Sequence, residues 1–142
     1  MRTKNQRIVK RLMILGSLAV LVIALGVGLS VVRNRVKART LQESREQGLA
    51  AYESGDLDLA AEKLGYYHAT KNDDPDVAYK LADASMRLPS QGNEGLRSAA
   101  LFAKRAADLA PTRTEPLELL VEIFGLLNQQ TERLDAAERL LE

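Results

Sequence analysis

The sequence contains no cysteine and no tryptophan, only one histidine, and aromatic residues make up 4% of it. Without cysteine there is no disulfide framework, no thiolate nucleophile and no cysteine-ligated zinc. With His68 alone, a catalytic dyad or a His-based metal site lacks its second member, and a surface or helix-end residue near the end of the second helix is the expectation for it. So few aromatics leave no stacking platform for single-stranded nucleic acid. The first 39 residues hold no acid at all, and no segment of the chain alternates apolar and polar residues as a half-buried strand would. Asp73, Asp74 and Asp76 are the densest acidic group, but they lack the glycine and closing glutamate of a calcium loop. Gly26 and Gly28, the one close glycine pair that hints at a phosphate loop, fall inside an apolar run. These absences leave no enzyme, cofactor, metal or nucleic-acid reading.

What is present divides sharply. Nine Lys/Arg lie in residues 1–39, giving +9, whereas the rest of the 142-residue chain holds eleven against all nineteen acids, giving −8. A basic start beside an acidic body points to a membrane surface. LMILGSLAVLVIALGVGLSVV, Leu12–Val32, is 21 residues without a charge. As a helix that length matches the roughly 30 Å hydrocarbon core. Arg2, Lys4, Arg7, Lys10 and Arg11 precede it, and Arg33, Arg35, Lys37 and Arg39 follow. The alternative is a cleaved signal peptide ending near Ala24–Gly26, but Val31, Val32 and four basic residues then follow at once, which suits an anchor that stays. A short N-terminal tail ordinarily remains cytoplasmic, which puts the acidic body across the membrane. Ala24 and Gly28, and Gly26 and Ser30, are small residues four apart that permit a neighbouring membrane helix to approach closely, although glycine is frequent in membrane helices in any case.

The reading is therefore a basic tail (1–11), a single-pass transmembrane helix (12–32), a helical stalk (33–40) and an all-α body (41–142). Breaks punctuate the body at Ser54–Asp56, Lys71–Asp76, Leu88–Gly95, Ala110–Pro116 and Asn128–Thr131. Asp74 is placed to cap the helix that Pro75 opens, and Thr114 to cap a later one. Between breaks the residues are helix formers. Six helices joined by short turns predict three antiparallel hairpins in series, at about 41–74, 75–111 and 112–142. Three second-helix segments, LDLAAEKLGYY, LRSAALFAKRAADLAP and LDAAERLLE, each reach an alanine pair soon after a leucine.

The segment GLAAYESGDLDLAAEKL resembles the turn and second helix of a tetratricopeptide repeat, and the resemblance extends over 41–142. Gly48 matches the family's small first-helix residue, Gly55 its turn glycine, Leu57 the bulky residue that follows, Ala60 the alanine of the helix crossing and Leu64 the large residue one turn later. In the second unit Leu81 and Ala82, then Leu96, Ala99, Ala106 and Pro111, match. In the third, Leu117, Leu120, Val121 and Phe124 match the first helix, and Leu134, Ala137 and Leu141 the second. Ser44 and Gln47 stand where the family usually has an aromatic residue and a leucine. The third unit has no closing proline and no polar capping helix, which suggests a partner there or a longer protein.

The resemblance implies an α-solenoid that binds protein or peptide partners along a concave face of first helices. That face would include Arg45, Leu49, Tyr52, Tyr79, Asp83, Met86, Glu118 and Glu122, although Leu49, Tyr52 and Met86 serve equally as packing residues. The functional expectation is a non-enzymatic, membrane-anchored adaptor that holds a protein partner beside the bilayer. The alternatives are the anchor and spacer of a larger protein, or a small accessory subunit of a membrane complex.

Overall fold

In a computed structural model of the chain, residues 36–88 and 92–141 are described. Contacts divide the chain into two units, Met1–Thr40 and Leu41–Glu142. Of the first unit only 36–40 belongs to the described residues, and it is helical. The expected membrane span at 12–32, with Ala24, Gly26, Gly28 and Ser30, and most of the stalk lie outside them. Among the described residues no helix is long and apolar enough to cross a membrane.

The second unit is all helical. α1 runs to residue 54, followed by α2 (Leu57–Thr70), α3 (Pro75–Arg87), α4 (Gly92–Leu109), α5 (Glu115–Leu126) and α6 (Gln130–Leu141). Each helix packs on its successor across α2–α3–α4–α5–α6, and α3 also meets α5. This is the contact order of a stack in which each hairpin covers the next.

Local chemistry explains each turn. Gly55 sits at φ +84, where only a residue without Cβ is unstrained. Its N–H reaches the Tyr52 carbonyl at 3.1 Å, and the Asp56 N–H reaches that of Ala51 at 2.9 Å, the paired closure of a Schellman motif. Asp56 then caps α2, its carboxylate accepting from the Leu59 N–H at 3.1 Å. Two residues thus end one helix and start the next. Asn128, at φ 57, repeats the closure between α5 and α6. Asp74 caps α3 by accepting from the Asp76 and Val77 N–H groups, and Pro75 occupies a position whose N–H would have no partner in the helix.

Three sequence expectations are corrected. α4 already begins at Gly92, so the break expected to extend to Gly95 ends earlier. The Thr114 hydroxyl makes no capping bond. In α6 the core takes Ala136 and Leu140, while Leu134 and Leu141 are 63% and 89% exposed. A one-residue change of register turns a helical face by about 100°, which moves both leucines off the side that α5 covers.

The core is built from small residues where helices cross. Ala60 on α2 meets Ala51 on α1 and Ala84 on α3 in one buried cluster. Ala99, Ala103 and Ala107 on α4 meet Leu117, Leu120 and Ile123 on α5 in another. The tightest point is Gly48, where a Cβ would lie 2.7 Å from Leu64 Cδ2 and 3.0 Å from the Leu64 amide nitrogen. Leu64 is fully buried and has nowhere to retreat. Gly48→Ala is therefore expected to lose about 1–3 kcal/mol to overpacking, although glycine-to-alanine changes in helices usually gain about 0.5–1 kcal/mol. Gly65, mid-helix in α2 with nothing within 4 Å of its Cβ position, is the internal control. Urea denaturation should show Gly65→Ala stabilised and Gly48→Ala destabilised.

Candidate protein-interaction surface

The face made by α1, α3 and α5 carries the residues expected to bind a partner, and most of them are engaged within the chain. Arg45 on α1 donates from Nε to Asp74 Oδ2 at 2.8 Å. The Tyr52 hydroxyl donates to Asp83 Oδ2 at 2.7 Å, and Arg87 Nη1 donates to the same oxygen at 3.2 Å. Lys80 on α3 reaches back to Glu53 on α1 at 3.2 Å and lies 5.3 Å from the Tyr52 ring centroid. Arg113, ahead of α5, pairs with both Asp76 and Glu115 and lies 5.7 Å from the Tyr79 ring centroid. Leu49 and Met86 pack on the apolar clusters beneath. Glu118 and Glu122 alone of the eight are exposed.

The electrostatics follow from these pairings. Burial alone would raise the Asp74 carboxyl, but the Arg45 guanidinium and the Val77 and Asp76 N–H groups outweigh it and hold the carboxyl below its usual range. Burial, and then the bond to Asp83, pushes the Tyr52 phenol well above its ordinary value. It stays a neutral donor at any physiological pH. Burial, then the nearby Asp83 and Glu115 carboxylates, raises Tyr79 as well.

The other candidates are structural. Gly48, Ala60, Leu64, Ala99 and Ala106 are buried at helix contacts, and Leu57 packs at the Ala60 cluster. Gly55 and Pro111 stand exposed in turns.

His68 does not lie free on the surface. Its ring meets Phe102 of α4 edge-on, with centroids 5.2 Å apart, and its Nδ1 is buried without a hydrogen-bond partner. Arg105 beside it donates to the Asn72 carbonyl at 2.9 Å. No motif marks this contact, because Phe102 lies on another hairpin. Among the described residues no group of three or more His, Asp or Glu side chains could hold a metal ion.

The comparisons agree with this architecture. MamA from AMB-1 superposes with a TM-score of 0.62 at 17% identity, over 70% of this chain and 52% of MamA. The first TPR domain of Spaghetti (RPAP3), bound to the HSP90 peptide SRMEEVD, superposes at 0.56 with 18% identity, over 72% of this chain and 80% of that one. This chain thus spans about half the length of MamA. No protein-family profile and no curated protein matches the sequence. The fold is that of a tetratricopeptide-like helical array.

Two predictions test this surface. Asp74→Ala removes both an ion pair and an N-cap, so it is expected to cost about 0.5–2 kcal/mol from the cap alone. Arg45→Ala is expected to cost only the pair, about 0.2–1 kcal/mol, and urea midpoints of the two variants check the order.

His68 supplies a pH dependence. Burial, and then Arg105, lowers its pKa below the 6.5 of the free side chain. The unfolded chain therefore takes the proton first, and this stability is full above about 6.5 and declines as the pH falls through the unfolded and then the folded value. Between pH 7 and 5 the urea midpoint of the wild type should fall more than that of His68→Phe.

Proposed function

We propose that this chain is a membrane-anchored adaptor, with a tetratricopeptide-like array holding a protein partner beside the bilayer. The likeness to a TPR domain whose structure contains a bound peptide is the observation that most supports it. The braced α1/α3/α5 face supports it further, because a surface already held by cross-helix pairs loses little conformational freedom on binding. The cations Arg45, Lys80, Arg87 and Arg113 on that face are each already paired with a carboxylate. The partner this face fits is therefore not one held mainly by free cations. Glu118 and Glu122 remain available to a partner's donors.

In this reading the anchor is the uncharged run Leu12–Val32 between basic flanks, and the short N-terminal tail supports a cytoplasmic tail with the array on the far side. Carbonate extraction should leave the full chain with the membrane and release a chain lacking residues 12–32. Affinity capture in mild detergent should recover a specific protein with the wild type. The pair Glu118→Lys and Glu122→Lys should lose it at an unchanged melting temperature. Undiminished capture by that variant, or release of the full chain by carbonate, would contradict this reading.

A further inference from the structure

The other side of the stack carries a feature that the adaptor reading does not use. Between α2 and α4 lies a groove of about 400 Å³, lined by Asp58, Ala61, Glu62, Gly65, Leu81, Ser85, Leu88, Ser98 and Phe102, within the 300–1,000 Å³ typical of ligand sites. It is open because of what its walls lack. Gly65 and Ala61 on α2 face Ser98 on α4, and nothing lies within 4 Å of a Cβ placed on Gly65. Leu81, Leu88 and Phe102 supply an apolar interior.

Two features suggest what occupies it. Ser85 is only 4% exposed, yet it lines the groove and offers it a hydroxyl. That hydroxyl can donate to or accept from a group that enters the groove. The charged lining residues are both acidic. Glu62 touches only its neighbour Lys63, at 2.7 Å, and Asp58 makes no ion pair. A groove of mixed lining, with Phe102 and the edges of Leu81 and Leu88 beside two carboxylates, complements the aliphatic stem and cationic head of a basic side chain. Leu59, Tyr66 and Leu101, on the two helices that wall the groove, are 38%, 53% and 70% exposed. They give α2 and α4 further exposed apolar surface, which a polypeptide could use and a free amine could not.

We infer that the α2/α4 groove is a second docking site, which takes an arginine or lysine side chain of a partner polypeptide along Leu81, Leu88 and Phe102 with its cation at Asp58 and Glu62. The site is independent of the α1/α3/α5 face. The test titrates the full chain in detergent micelles with acetyl-Ala-Arg-Ala-methylamide and follows backbone amide resonances by NMR. Saturable shifts are expected at Gly65, Ser85 and Ser98. The citrulline analogue, which keeps the shape without the charge, should bind more weakly. The double variant Asp58→Asn/Glu62→Gln should also weaken binding, by about twofold to fivefold, as loss of an exposed ion pair implies. Gly65→Leu, which fills the groove at a site with room for it, should abolish the shifts while the melting temperature shows the chain folded. Glu118→Lys/Glu122→Lys should leave them unchanged, so failure here and failure of the adaptor reading are separable. No saturable shift into the millimolar range, equal binding of the citrulline peptide, equal binding of free butylamine, or undiminished binding by Gly65→Leu would overturn the assignment.

Discussion

Everything in this array depends on how closely neighbouring helices approach. The limiting contact is between Gly48 of α1 and Leu64 of α2, where even a single added carbon would come within 3 Å of Leu64. Ala60, Ala51 and Ala84 extend the same constraint from the first hairpin into the second. At such crossings a helix gains dispersion contacts along its length because no side chain holds the backbones apart. The small residues give little hydrophobic area themselves. What they give is position, and the larger residues Leu64, Val77 and Ile123 then fill the space so defined.

Close approach also brings the polar partners into register. With α1 and α3 held together, Arg45 reaches Asp74, Tyr52 reaches Asp83 and Lys80 reaches Glu53. The same geometry places Arg113 between Asp76 and Glu115. Exposed pairs of this kind contribute little stability singly, but together they fix the rotamers of a whole face. The opposite side follows from the same economy of side chains: beyond the His68–Phe102 contact, the small residues Gly65, Ala61 and Ser98 leave a groove.

The fold was legible where its signals are local. Gly55–Asp56 and Asp74–Pro75 announce a helix end, a cap and a start within two residues, and the alanines at 60, 99 and 106 announce crossings. Legibility failed where local chemistry was ambiguous or the signal was distant. Gly92-Asn-Glu-Gly95 reads as a turn by composition but is already helical. Leu134 and Leu141 of α6 satisfy an apolar spacing on a face that nothing among the described residues covers. The eight residues of the expected face lie on α1, α3 and α5, but the pairs that engage Arg45, Tyr52 and Asp83 are 29 and 31 residues apart, which no spacing rule registers. The groove was invisible because it consists of missing side chains. The expected membrane span, the plainest signal in the sequence, lies outside the described residues.

The central claim is that stability in this array is passed between neighbours through these crossings. α3 and α4 are covered by hairpins on both sides and bury six residues each, whereas α6 buries only Ala136. In a one-dimensional stack, protection should follow that coverage. Native-state hydrogen exchange on the full chain measures it directly. The account predicts slowest exchange in α3 and α4 and fastest in α6. Uniform protection along the array, or slowest exchange in α6, would contradict it.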